Sequence, residues 1–153
     1  MAHGKIAAVC TSKHKGTPKS DVGSGFLDVG YGLRGDAHGG DWHRQVSLLS
    51  TEQIDTMKGK GLEVGPGSFA ENLTTSDFDL GSVKIGDRIR VGGSAILEIT
   101  QIGKECHTRC AIYHTIGECI MPEQGVFARV IVGGEVRTGD RVDFESRSVE
   151  NTG

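Results

Sequence analysis

At 153 residues the chain is long enough for one domain that buries roughly 68–70% of the surface its unfolded form exposes, so it needs no staple to fold. Twenty acidic against seventeen basic side chains leave a formal net charge of −3, which gives no electrostatic ground for binding nucleic acid or a membrane surface. MAHGKIAAVC has no long apolar core before a small-residue cleavage site, and no run approaches the ~20 apolar residues of a membrane span; a cytoplasmic protein with no membrane partner is expected.

The 24 glycines against 3 prolines, spread without a period, describe a chain that turns often and is built of many short strands. Ile6 to Cys10 reads as a first strand, and TSKHKGTPKSD, with Lys13, His14, Lys15 and Lys19, as a polar loop. GYGLRGDAHGGDWHRQ holds too many glycines to persist as helix or central strand and reads as a second loop. Val46 to Leu49 fits a strand. Ser50 followed by Gln53 is a capping-box pattern that opens a short amphipathic helix, with Ile54 and Met57 one turn apart and Gly59 and Gly61 closing it. Glu71, Asn72 and Thr74, taken alone, read as a turn.

RIRV, Gly92-Gly93 and AILEIT predict a hairpin; VFARVIV, Gly133-Gly134 and EVRTGD predict a second, with RVDF after it. IGDRIRV and TGDRVDF each place Gly-Asp before an Arg-led strand, which we read as shared turn chemistry rather than duplication. SRSVENTG has no apolar face, so a single domain over 1–145 and a frayed tail over 146–153 are expected. A closed or nearly closed β-barrel is the natural way for so many strands to remove their exposed edges.

Chemistry concentrates in KECHTRCAIYHTIGEC, where Cys106, Cys110 and Cys119, three of the chain's four cysteines, lie within fourteen residues with His107 and His114 between them. In a reducing compartment, thiols this dense point to sulfur, redox or metal chemistry rather than to a staple. An ordinary thiol is only about 3% thiolate at pH 7; if Lys104, Arg109 or a protonated His107 lowers the pKa of Cys106 by about two units, most of it becomes thiolate. Such a thiolate can hold a persulfide that Cys110 or Cys119 resolves as a disulfide. The competing reading is a metal site: Cys106, Cys110 and His114 fall at four-residue steps on one helix face, with Cys119 as a fourth ligand. Structural zinc more often uses tighter Cys-x-x-Cys turns, so no stoichiometric zinc is expected. Cys10, alone in an apolar strand, reads as packing.

In RGDAHGGDWHRQ, Asp36, His38, Asp41 and His43 offer a possible ligand set, while Arg34 and Arg44 offer anion contacts. Glycines at this density let backbone N–H groups approach an anion closely, and Arg grips phosphate with two parallel hydrogen bonds, which favours a phosphate cradle over a metal cage. Lys19 adds positive charge to the same mouth. The plainer alternative is a solvated polar loop with Trp42 plugging the barrel.

RGDAHGG, WHRQVSLL, GSFAENLT, the strand Ile89 to Thr100 leading into GKECHTRC, and GVFARVIVGGEVRTGD together resemble the MOSC family, named after the C-terminal domain of molybdenum cofactor sulfurases. The resemblance runs in order from about Gly4 to Phe144. It implies a mainly β fold, a MOSC-type β-barrel with one or two short helices, that binds molybdenum cofactor or molybdopterin. It also implies a cysteine at the Cys106 position that carries or transfers sulfur, and it places Glu71, Asn72 and Thr74 of ENLT near the pocket. The expected cofactor-binding residues are then Lys19, Arg34, Asp36, His38, His43, Arg44, Gln45 and Asn72, with Cys106 as the catalytic one. These residues include no cysteine-desulfurase domain, so an external sulfur donor such as a cysteine desulfurase, and a molybdoenzyme as acceptor, are the expected partners. Two other readings stand beside this one: a non-catalytic module that delivers the cofactor, its cysteines ligating molybdenum, and a structural zinc protein whose barrel is an interaction platform.

Overall fold

A computed structural model describes residues 3–14, 18–61, 63–103 and 125–147. Seven of its strands are β1 (Gly4–Thr11), β5 (Val46–Ser50), β6 (Leu73–Ser76), β7 (Arg88–Val91), β8 (Ala95–Ile102), β9 (Val126–Val132) and β11 (Arg141–Ser146). They pair in the order β1–β6–β5–β9–β8–β7–β11 and back to β1, a closed barrel that leaves none of the seven as an edge. The seam between β1 and β11 is short, with Gly4 opposite Val142, Lys5 opposite Arg141, and the Ile6 amide donating to the Asp140 carbonyl at 2.7 Å. β2 (Ser20–Asp21) extends β1, while β3 (Ser24–Asp28), β4 (Gly32–Leu33) and β10 (Gly134–Arg137) form a separate small sheet. Among the described residues no helix is long and apolar enough to cross a membrane.

Strand β5 explains the position of the helix. Its residues are all buried, but Val46 and Leu48 enter the barrel core whereas Leu49 joins a second cluster with Ile54, Met57, Phe69 and Phe127. Helix α1 (Thr51–Lys58) therefore covers one barrel wall and carries the chain across to β6, which runs parallel to β5. The capping box forms as its sequence pattern predicts: the Ser50 hydroxyl accepts from the Gln53 amide at 3.1 Å, and the Gln53 side chain accepts from the Ser50 amide at 3.2 Å.

The β7–β8 hairpin turns over Gly92, Gly93 and Ser94, because Val91 pairs with Ala95. The second expected hairpin does not form. β9 pairs with β8 and β5, whereas β10 leaves the wall and pairs with β3. Gly133, between them, lies against the Leu27 carbonyl, where a Cβ would come within 2.7 Å. Segments read as loop or turn also pair: Gly32–Leu33 with β3, and Leu73–Ser76 with both β1 and β5.

The two Gly-Asp turns are built alike. Asp87 accepts from the Lys84 amide and Asp140 from the Arg137 amide, each at 2.8 Å, and their carbonyls take the amides of Ile99 and Ile6. The strands that follow, β7 and β11, then pair with each other, Ile89 facing Phe144. The fold also reaches past residue 145. β11 includes Ser146, and Arg147 reaches Asp87 at 3.2 Å and lies over the Phe144 ring.

Candidate functional site

Where β1 ends, and where β5 and β6 begin, the sequence places polar residues that the barrel then buries. Lys19, Asp36, Gln45, Ser47, Glu71, Asn72 and Thr74 are all buried. A buried charge is tolerated only when paired and hydrogen-bonded, and the structure supplies both. The Lys19 ammonium lies 2.7 Å from Asp36 Oδ1, 3.0 Å from Ser12 Oγ and 2.9 Å from His38 Nδ1. Asp36 also accepts from the backbone amides of Ser12 and His38, each at 3.0 Å. Burial pushes the Asp36 carboxyl up, but the Lys19 ammonium, with donors from Asn72 and Ser12, outweighs it and holds the group below its ordinary value. Burial lowers the Lys19 amine, and Asp36 offsets part of that.

Asn72 ties this network to the strands. Its side chain donates to the Cys10 carbonyl at 3.1 Å and accepts from the Ser47 amide at 3.0 Å. Next to it, Glu71 accepts from the Gly67 amide at 3.0 Å and from the Thr74 hydroxyl at 2.9 Å through Oε2, while Oε1 is buried with no hydrogen-bond partner among the described residues. Burial raises the Glu71 pKa. Gly67 is required here: its φ is +86°, and a Cβ would meet the Lys19 carbonyl at 2.1 Å.

Cys10 is fully buried in this same region, and its thiol is pushed up to about 12, first by burial and then by Glu71 and Asp21. Limited alkylation near neutral pH is expected to leave Cys10 unlabelled until the protein unfolds, with peptide mass mapping as the check. Labelling of Cys10 in the folded protein would contradict the buried, protonated thiol.

The loop that follows wraps outward from Asp36. Tyr31 donates to the Asp36 carbonyl at 2.7 Å, and the Trp42 indole to the His38 carbonyl at 2.9 Å. Arg44 is half-buried, its guanidinium 4.6 Å from the Trp42 ring and 5.7 Å from the Phe127 ring, and its Nε is buried with no hydrogen-bond partner among the described residues. His43 Nε2 lies 2.7 Å from Gln101 Oε1, and the Thr100 hydroxyl donates to the His43 carbonyl. Trp42 and His43 also line a cleft of about 590 Å³ along the outer wall, with two acids, Asp41 and Glu98, of which Glu98 is clamped between Arg88 and Arg129.

Of the residues expected from sequence, the structure brings Lys19, Asp36, His38 and Asn72 into one network and sets His43 and Arg44 at its rim. Gln45 is turned to a different task, accepting from the Val130 amide at 2.9 Å. Arg34 stands apart: it makes a two-pronged bond to Asp28, 2.8 Å on each arm, is 65% exposed, and stacks over Phe26. A short arginine-to-acid spacing on a hairpin favours that pairing over an inward turn. Asp36, His38, Asp41 and His43 do not assemble as a metal set, and no group of three or more ligating side chains does so among the described residues. Lys13 and His14 are exposed. Ser12, Ser47, Tyr31 and Gln101 were not anticipated; each is polar and adjacent to a motif residue, but only strand pairing shows where it points.

Cys106, Cys110, His114 and Cys119 lie outside the described residues. The strand that leads to them does not: Gln101, on β8, contacts His43, and the Gly103 amide bonds the Gly125 carbonyl at 2.7 Å.

The comparison with curated proteins gives no match. Among solved structures, the YuaD protein from Bacillus subtilis is 22% identical, with 95% of this chain and 97% of that one covered at a TM-score of 0.77. YiiM from Geobacillus stearothermophilus is 19% identical, with 96% and 77% covered at 0.73. YiiM from Escherichia coli is 21% identical, with 98% and 72% covered at 0.68. At these identities the three establish a shared fold. The sequence profile of the MOSC domain matches residues 34–143, a span that takes in the Asp36 loop, ENLT and the cysteine segment. With most of the chain matched and the barrel formed, this chain belongs to the MOSC domain family, which is linked to the molybdenum cofactor.

Proposed function

We propose that the chain binds a molybdopterin-type cofactor at the mouth formed by Lys19, Asp36, His38, Arg44 and Asn72, and that Cys106 carries or transfers sulfur there. The observation that carries the binding half is Arg44: a cationic side chain, half-buried between two rings, with a buried donor that has no hydrogen-bond partner among the described residues. Leaving such a donor unpaired costs about 1–3 kcal/mol, which an oxyanion of the cofactor would recover. When bound, the cofactor would supply the acceptor for sulfur. The protein's part is to bind and orient it beside a nucleophilic thiol.

The sulfur half rests on the thiol's chemistry and on β8, which touches His43 two residues before Gly103. In the proposed loading step the Cys106 thiolate attacks the terminal sulfur of a donor persulfide, such as one carried by a cysteine desulfurase. A new S–S bond forms at Cys106, the donor's S–S bond breaks, and the donor leaves as a thiolate. The chain is proposed to act in the cytoplasm, with a molybdoenzyme as the eventual recipient.

The two halves are expected to separate by mutation. Molybdopterin at a hundred times its dissociation constant should stabilise the protein by about 2.7 kcal/mol, and Arg44→Ala should reduce that while leaving the apo-protein folded. Cys106→Ser should abolish transfer from a persulfide donor with the cofactor-induced rise in Tm retained. An undiminished rise in Arg44→Ala would remove the mouth from the reading. Persulfide transfer that survives Cys106→Ser would leave cofactor delivery as the better account.

A further inference from the structure

We infer that the outer-wall cleft is a second ligand site, suited to a small zwitterion with an apolar body, of which a free amino acid with an aromatic or branched side chain is the simplest case. None of Lys19, Asp36, His38, Arg44 or Asn72 lines it, so the inference does not rest on the cofactor-mouth reading.

At about 590 Å³ the cleft falls within the roughly 300–1,000 Å³ range of small-molecule sites. Ile85 and Val29, 61% and 63% exposed, line it together with the half-buried Trp42. Apolar groups that stand open to water gain by being covered, which supplies attraction but little selectivity.

The polar groups supply the selectivity. Gln45 is only 4% exposed, and its Oε1 accepts from the Val130 amide at 2.9 Å, which fixes which way its amide faces. Its Nε2 then carries two N–H donors with no partner among the described residues, on a side chain that lines the cleft. An unpaired donor in so buried a residue is costly, and a ligand oxygen would satisfy it. Arg129 adds charge beside it. Glu98 accepts from Arg129 Nε at 3.1 Å and Nη2 at 2.8 Å, and from Arg88 Nε at 3.2 Å, so two cations share one acid and leave a net charge of +1. Those two bonds use two of the five donors of the Arg129 guanidinium, whose side chain is 51% exposed. Gln45 and Arg129 together suit a carboxylate.

Asp41 sets the requirement for the opposite charge. It is exposed, lines the same cleft, and makes no hydrogen bond or ion pair among the described residues, so its carboxylate is an acceptor for an ammonium group. The two charges select against simpler ligands. An anion alone gains Arg129 but meets Asp41, and a cation alone does the reverse. A neutral apolar molecule covers Ile85 and Val29 but leaves the Gln45 donors unpaired. A molecule with one charge of each sign and an apolar body answers all of them.

Titration of the ¹⁵N-labelled full chain, with no cofactor added, with L-phenylalanine, L-leucine and L-tryptophan tests the site by ¹H–¹⁵N spectra. At least one should give saturable shifts of the Gln45 side-chain amide, the Trp42 indole and the Ile85 backbone amide. Blocking either charge of the binder, as its N-acetyl or its carboxamide derivative, should weaken binding by about tenfold. Arg129→Gln and Asp41→Asn change exposed side chains and should leave the fold intact. Arg129→Gln should abolish the preference for the amino acid over its carboxamide, and Asp41→Asn the preference over its N-acetyl form. No saturable shift with any of the three amino acids, or shifts confined to residues outside the cleft, would overturn the site. Undiminished binding of either blocked derivative to the wild-type protein would overturn the zwitterion class.

Discussion

Lys19→Met is expected to cost about 3–5 kcal/mol of folding stability, read as a shift of the chemical-denaturation midpoint. The Lys19 and Asp36 side chains are both 0% exposed and lie 2.7 Å apart, so removing the ammonium leaves an ionised carboxylate in the interior with only amide donors around it. That uncompensated charge, more than the lost attraction, sets the size of the effect. Combining Lys19→Met with Asp36→Asn should recover much of the loss, because the second change removes the stranded charge. For a domain whose total stability is about 5–15 kcal/mol, the single variant sits near the edge of folding. A loss below about 1 kcal/mol, the scale of a solvent-exposed ion pair, would mean that water reaches this pair and that the network is not the closed one described.

The second large effect belongs to Glu71, and it depends on pH. Burial raises its folded pKa above the ordinary 4.5, so the folded state holds this proton more tightly than the unfolded chain does. Its contribution is fully present below pH 4.5 and is lost as pH rises from there through the folded value, at up to about 1.4 kcal/mol per pH unit. Glu71→Gln keeps the shape and removes the titration. The difference in unfolding free energy between variant and wild type should therefore grow as pH rises. Parallel stability curves for the two proteins would show that Glu71 is ionised in the folded state, and that its Oε1, which has no hydrogen-bond partner among the described residues, is not the site of a proton.

Much of the architecture was legible from side-chain alternation and turn chemistry. The β7–β8 hairpin, the capped helix and the kinship of the two Gly-Asp turns depend on residues within about ten positions of one another, a range over which the chain's own sterics and hydrogen bonds dominate. The second hairpin failed as a reading for the same reason. VFARVIV-GG-EVR carries a local hairpin signal, yet β10 finds its partner in β3, over a hundred residues earlier, and no local pattern encodes a contact of that separation. Ser24–Asp28 and Leu73–Ser76 were missed because short strands beside glycines and polar residues gain their order from neighbours rather than from propensity.

The site divides along the same line. Composition and motif spacing picked out Lys19, Asp36, His38 and Arg44 as polar residues with chemistry to do, whereas Asn72 came only from the family resemblance that the ordered motifs carry. Whether a given one faced inward was decided by barrel closure, which buries Lys19 against Asp36, strands the Nε of Arg44 between two rings, and turns Arg34 out to Asp28. A sequence states which donors and acceptors exist. Which of them meet out of water, where an ion pair is worth several kcal/mol and an unmatched donor is costly, is a property of the closed barrel alone.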